Sequence, residues 1–80
     1  GSSYVQLASV KSTSGADAEW KKMQAKYPAL RALQYRTQEA NLGAKGTFYR
    51  IQAGPMSKED AARICSEIKS GGGTCLVAAK

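Results

Sequence analysis

The first third of the chain changes from a strand-like to a helix-like spacing of its apolar side chains. Over residues 4–8, Val5 and Leu7 alternate with Gln6, and this period of two predicts a strand. Apolar side chains then recur at spacings of four, three and four, which is the stripe of an amphipathic helix: Ala16, Trp20, Met23 and Tyr27. Pro28 ends this predicted helix, because its ring cannot continue the hydrogen-bond ladder.

The middle of the chain predicts two strands joined by a reversal. Residues 30–37 alternate weakly, with Tyr35 and Arg36 on opposite faces, and residues 41–46 supply two glycines for the reversal. Residues 48–53 alternate again and predict a third strand, which we expect to end at the Gly-Pro pair that follows. One face of this strand carries Tyr49, Ile51 and Ala53, and the other carries Phe48, Arg50 and Gln52.

Polar residues at cap-box spacing mark the start of each predicted helix. Ser14 precedes Asp17 by three residues, and Ser57 stands in the same relation to Asp60. The second helix has the clearest apolar stripe of the chain, at positions i, i+3, i+4 and i+7: Ala61, Ile64, Cys65 and Ile68. Three glycines at 71–73 end that helix, since glycine tolerates the left-handed backbone of a helix terminus.

A last short strand over residues 74–79 completes the order strand, helix, strand, strand, helix, strand. Right-handed crossovers convert this βαββαβ order into an α+β fold, the ferredoxin-like or split-βαβ sandwich. It has a four-stranded antiparallel sheet with two helices on one face. The other face stays open and is expected to carry Tyr4, Gln6, Phe48, Arg50, Gln52 and Leu76. We expect residues 1–3 to be a cloning remnant or linker and residues 4–80 to form the domain.

Composition limits what such a domain can do. Eighty residues, 42% of them hydrophobic, suffice for one core. Twelve Lys and Arg against six Asp and Glu give a net charge of +6, which favours anionic partners such as nucleic acid, anionic lipid or an acidic polysaccharide. The chain has no histidine, and its carboxylates fall mostly at predicted helix starts and surfaces. We therefore expect no catalytic residues, no metal site and no cofactor.

The two cysteines allow two interpretations. Cys65 lies on the core stripe of the second predicted helix and Cys75 at the start of the last predicted strand. A disulfide between them would close a loop of about ten residues and contribute about 2.5–3 kcal/mol. Two buried free thiols are the alternative, because cysteine also packs as a small hydrophobic residue. No CxxC motif or zinc-ligand set is present. A disulfide would indicate an oxidising compartment, either the periplasm or the cell exterior.

The open face also has two interpretations. Phe48 beside Arg50 offers a stacking plane and an anion clamp, and the amides of Gln6 and Gln52 offer donors and acceptors. Antiparallel sheets, however, commonly have one solvated face, on which Arg and Gln are ordinary and a lone Phe48 rests against Tyr4. The pattern by itself does not choose between a ligand-binding face and a merely solvated one.

Two segments resemble the SPOR (sporulation-related repeat) domain. They are YVQLAS at residues 4–9 and YRIQAGP at residues 49–55, each before a helix, the second of which ends in three glycines. The resemblance covers residues 4–79 and implies the same fold and a periplasmic or cell-envelope location. It also implies binding to peptidoglycan, specifically to glycan strands denuded of their stem peptides, which targets the parent protein to the division septum. Carried over by position, it implies a glycan-binding site of Gln6, Ser9, Phe48, Arg50 and Leu76, to which the open face adds Gln52.

Two positions depart from the pattern of the SPOR family. Ala8 stands where a glycine is frequent, which bears on how the first strand ends. Phe48 stands where tryptophan is frequent, which reduces the stacking plane and weakens the expected sugar contact.

The same topology also serves other functions. RNA-recognition motifs combine it with a basic surface and open-face aromatics, so a module that binds single-stranded nucleic acid is the main alternative. Lys45 and Gly46 resemble the start of that family's third-strand motif, but Phe48 has the wrong alternation and Arg50 puts charge where apolar residues belong. An acylphosphatase-like enzyme would need a phosphate-cradling loop and an acid–base pair, and the chain has neither. We expect a monomeric binding module with no nucleic-acid partner and no membrane contact of its own.

Overall fold

The computed structural model describes residues 2–79 and confirms the predicted fold class. The main elements are β1 (Ser3–Val10), α1 (Thr13–Lys26), β2 (Tyr35–Asn41), β3 (Thr47–Met56), α2 (Lys58–Ser70) and β4 (Leu76–Ala79). Short 3₁₀ turns at Pro28–Leu30 and Gly43–Lys45 flank β2. The strands form one antiparallel sheet in the order β2-β3-β1-β4, with both helices on one face. Within the described residues, neither helix has the length and apolar character that a membrane span requires.

The hydrophobic core lies between the helices and the sheet. Its largest fully buried side chains are Leu30, Ile51, Val5 and Cys75. The predicted helical stripes supply much of the rest, with Trp20 from α1 and Ile64 and Ile68 from α2 all buried. Trp20 stacks on Tyr35 of β2 with the ring centroids 5.2 Å apart, so α1 is fixed over the β2 side of the sheet.

The start of α1 differs from the prediction. Ser12, not Ser14, caps the helix, because its backbone is extended and its Oγ accepts the Gly15 N–H at 3.0 Å. Ser14 already lies within the first helical turn, where a residue cannot serve as the N-cap. The cap of α2 is as predicted, since Ser57 Oγ accepts the Asp60 N–H at 3.1 Å.

Strand β2 was predicted over residues 30–37, and this prediction was wrong at both ends. Leu30 belongs to the 3₁₀ turn that Pro28 begins, and it is fully buried there. Its apolar character therefore reflects core packing rather than strand alternation. The extent of β2 is set by antiparallel pairing with β3 along its whole length, which continues to Asn41.

Strand β3 was expected to end at Gly54 and Pro55 but continues to Met56. The peptide bond between Gly54 and Pro55 is cis, and Gly54 has φ of +146°. Three steps along β3, from Ala53 to Met56, match two steps along β1, which makes a bulge. Glycine and proline therefore mark an irregularity within this strand rather than its end.

The disulfide between Cys65 and Cys75 is present, which confirms that interpretation over two free thiols. The two Cα atoms lie 5.2 Å apart, and both side chains are buried. The bond ties the core face of α2 to the residue immediately before β4. That strand begins at Leu76, two residues later than predicted, and pairs only with β1. The disulfide thus anchors a short edge strand.

Candidate ligand-binding face

The open face is the side of the sheet that the helices leave uncovered. Its central row crosses all four strands and consists of Arg36, Gln52, Gln6 and Leu76. The next row consists of Gln38, Arg50 and Ser9, and the row after it begins with Ala40 and Phe48. The six residues predicted for the site therefore lie on one surface.

A bulge in β1 brings Gln6 and Ser9 to the same face. Residues three apart on a regular strand point to opposite faces. Here Gln6 pairs with Gln52 and Ser9 with Arg50, so three steps along β1 match two along β3. Leu7 lies at the irregularity and stays in the core, where it is 4% exposed. Without this bulge, the two predicted β1 residues would lie on opposite faces of the sheet.

A chain of hydrogen bonds runs along the central row. Arg36 Nε donates to Gln52 Oε1 at 3.0 Å, and Gln52 Nε2 donates to Gln6 Oε1 at 3.1 Å. Because a guanidinium only donates, it determines which end of the Gln52 amide faces it, and Gln52 in turn orients Gln6. Gln6 is left with its NH₂ group pointing away from the chain of bonds. Gln52 is 3% exposed, so it orients its neighbours rather than presenting its own amide to a ligand.

Tyr4 and Arg36 form a stacked pair at one end of the open face. The guanidinium carbon of Arg36 lies 3.6 Å from the centroid of the Tyr4 ring. Since β3 separates their two strands, the ring reaches Arg36 by crossing β3 at Gly54. A Cβ atom at Gly54 would lie only 3.0 Å from Tyr4 Cδ2, so the missing side chain makes room for the ring. This contact restricts the positions that the Arg36 guanidinium can adopt.

The other end of the open face carries Phe48 and Arg50. Lys11 Nζ lies 5.9 Å from the centroid of the Phe48 ring, so a second cation–aromatic pair forms there. Arg50 lies between this pair and the central row, opposite Ser9. Its half-buried side chain makes no hydrogen bond or ion pair within the described part of the chain. The guanidinium of Arg50 is therefore available to an anion.

Among residues 2–79, the open face carries positive charge and no carboxylate. Its cations are Arg36, Arg50 and, at the rim, Lys11. Five of the six acidic residues lie on the helices, and the sixth, Glu39, pairs with Tyr49 on the side of the sheet that the helices cover. An anionic ligand on the open face therefore meets attraction without a competing acidic side chain.

A hollow lies on the helical side of the domain. It has a volume of about 340 Å³, and the charged side chains around it are Glu19, Lys22 and Lys26. Tyr27 also lines it, and the Tyr27 hydroxyl is buried without a hydrogen-bond partner among the described residues. Both signs of charge meet in this hollow, whereas the charged side chains of the open face among the described residues are all basic.

A sequence model of the SPOR domain matches residues 1–79. This chain belongs to the SPOR domain family. Its structure is similar to the crystal structure of the SPOR domain of RlpA from Pseudomonas aeruginosa, with a TM-score of 0.66 over 98% of this chain and 99% of that one. At 16% sequence identity, this likeness shows a shared fold. A comparison with curated protein sequences found no match. SPOR domains are binding modules of bacterial envelope proteins, and their ligand is peptidoglycan.

The open-face residues of this SPOR domain differ in their exposure and in their contacts. Gln52 is a buried link, whereas Leu76 is 58% exposed and reachable. Two residues outside the predicted site, Arg36 and Tyr4, join the face through their contacts with each other and with Gln52. A signal for Arg36 was available, because it alternates with Tyr35, whose ring packs against the core. Tyr4 had been placed on the open face, but nothing in its sequence position indicated a partner two strands away.

Proposed function

We propose that this SPOR domain binds glycan strands of peptidoglycan from which the stem peptides have been removed, and that the open face is the binding site. The observation that carries the proposal is the sign of the charge on that face, with Arg36 and Arg50 on the sheet and no acidic side chain beside them in the described part of the chain. A denuded strand keeps a free lactyl carboxylate on every muramic acid, whereas a stem peptide occupies that group in an intact strand. The charge of the face matches the denuded form.

The remaining open-face residues suit the neutral parts of the same ligand. Arg50 holds a lactyl carboxylate through paired N–H donors. The free NH₂ group of Gln6 and the hydroxyl of Ser9 bond the acetamido groups of the sugars. Phe48 and Leu76 cover the apolar faces of the sugar rings. Gln52 was predicted as a direct contact, and its burial makes it instead the residue that orients Gln6.

Selectivity for denuded strands follows from shape as well as charge. A sugar chain lying flat on a sheet has its substituents pressed against the protein surface. Stem peptides would collide with that surface, so an intact strand loses contacts in addition to its carboxylates. Denuded strands arise where amidases cleave, as at the division septum. The domain would thus bring its parent protein to the septum from the periplasmic side, acting as a monomer.

Co-sedimentation with three ligands tests the proposal: amidase-treated sacculi, untreated sacculi and single-stranded RNA. At 0.3 M salt the Debye length falls to about 6 Å, which weakens purely electrostatic binding but leaves stacking and neutral hydrogen bonds. We expect retention on treated sacculi, less on untreated sacculi and little on RNA. Stronger retention on RNA than on treated sacculi would favour a nucleic-acid module of the same fold instead.

A pair of arginine variants tests whether the open face is the site. Arg50→Ala should weaken binding to treated sacculi by about 1.5–3 kcal/mol, the range of a hydrogen bond to a charged group. Arg63→Ala is the matched control, because Arg63 is exposed on α2 and its one ion pair among the described residues is with Asp60 at 3.4 Å. Equal binding by the two variants would remove Arg50 from the site.

A further inference from the structure

We propose that Arg36 forms a second carboxylate-binding position on the open face, separate from that of Arg50, so that the domain holds two lactyl carboxylates of one glycan strand. This inference rests on the proposed function, because it takes the ligand to be a denuded strand. It adds Arg36 as a binding residue and Tyr4 as the residue that positions it.

Arg36 is already held in a geometry that suits an anion. Its Nε donates to Gln52, and its guanidinium carbon lies 3.6 Å from the Tyr4 ring centroid. Its two terminal nitrogens have no hydrogen-bond partner among residues 2–79. Those nitrogens form the end of the guanidinium that clamps a carboxylate with two parallel N–H donors. A side chain fixed in this way loses less rotamer freedom on binding than the unpaired Arg50 does.

The two arginines point to different parts of the open face. Arg36 and Arg50 are diagonal neighbours on β2 and β3, so their Cα atoms are about 7–8 Å apart. The guanidinium of Arg36 turns towards Tyr4, beyond the central row. Arg50 lies on the other side of that row, beside Ser9. Gln52 lies between the two cations, since it accepts from Arg36 and is two residues from Arg50 on β3. A single carboxylate would have to reach across Gln52 to contact both arginines.

A strand that fills both positions must carry at least two muramic acids. Each carboxylate adds its own contact, and the second contact forms at the high effective concentration that the first one creates. The domain should therefore bind long denuded glycans more tightly than short ones. The difference in affinity should exceed the factor expected from the larger number of muramic acids on the long glycan. The size of this preference indicates how many sugars of the strand contact the open face.

The test compares denuded glycan fragments that contain one muramic acid with fragments that contain several, using titration calorimetry. The variant is Arg36→Met, whose unbranched apolar side chain can still pack on Tyr4. We expect wild-type protein to bind the long fragment at least about tenfold more tightly than the short one. Arg36→Met should lose most of that ratio, while Arg63→Met, on the opposite side of the domain, should keep it.

A spectroscopic measurement separates direct contact from an indirect effect of folding. In ¹H–¹⁵N spectra of the wild-type domain, the Arg36 Nε–H signal should shift during titration with the long fragment. The Arg63 signal should not. An unchanged length preference in folded Arg36→Met, or an Arg36 signal that does not move, would overturn this inference alone. Failure of wild-type protein to bind either fragment would overturn the proposed function and this inference with it.

Discussion

Replacing Cys65 and Cys75 together by alanine removes the covalent link between α2 and the last strand. Strand β4 has four residues, lies at the edge of the sheet and pairs only with β1. The cysteine just before it is 1% exposed, so the bond fixes the point at which the chain enters this strand. Without the bond, the pairing of β4 depends on a few hydrogen bonds at an edge.

The expected loss follows from the length of the closed loop. The two cysteines are ten residues apart in sequence, and closing a loop of this length removes about 2.7 kcal/mol of chain entropy from the unfolded state. The smaller alanine side chains also leave unfilled space at two buried positions, which adds to the loss. A domain of this size has a free energy of unfolding of about 4–12 kcal/mol. The double variant should therefore lose about a quarter of its stability or more.

Urea unfolding followed by fluorescence measures this loss, because Trp20 is the single tryptophan and is buried in the core. The control is Ser66→Ala with Thr74→Ala, two exposed neighbours of the cysteines that make no hydrogen bond through their side chains among the described residues. A double cysteine variant within 0.5 kcal/mol of the wild type would refute the reasoning. So would two thiols that react with Ellman's reagent in denatured, unreduced wild-type protein.

Three further predictions concern single residues. Gly54→Ala should destabilise the domain by about 1–3 kcal/mol in urea unfolding, for two reasons. The φ of Gly54 is +146°, which disfavours any residue with a Cβ atom, and that atom would lie 3.0 Å from a backbone oxygen of β1. Gly72→Ala has positive φ without a close contact, so a larger loss there would contradict the steric argument. Burial, and then the charge of Asp17, to which Tyr35 donates at 3.3 Å, raise the pKa of Tyr35 above its usual value near 10. The stability that this shift contributes is present below about pH 10 and is lost as the pH rises through the raised pKa. In urea unfolding measured across a pH series, the free energy of unfolding of Tyr35→Phe should therefore fall less steeply at alkaline pH than that of the wild type. Gln6→Glu should bind treated sacculi less well than Gln6→Ala, because a carboxylate replaces the free donor group with negative charge, and equal binding would argue against the orientation assigned to this amide.

The local elements and the ligand class could largely be predicted from the sequence. Alternation over Val5 and Leu7 and the stripe through Ile64 and Ile68 depend on the repeat of the backbone itself, which adjacent residues determine. For the two cysteines the sequence left a disulfide and two free thiols both open, and the family resemblance rested on two short segments, each before a helix. The structure confirms the fold class and contains the disulfide, and the match to the SPOR sequence model confirms the family.

The arrangement of the open face depended on the tertiary structure. Cross-strand pairing places a bulge at Leu7, and that bulge turns Ser9 to the same side as Gln6. Pairing also buries Gln52 between two partners and brings Arg36 onto Tyr4 from two strands away. The pairing register of two strands is decided by which side chains fit together across strands that are distant in the sequence. A shift of one residue in that register does not change the alternation along either strand, so local periodicity cannot predict it. The sequence by itself therefore determined which groups this face could carry, and strand pairing determined which of them meet.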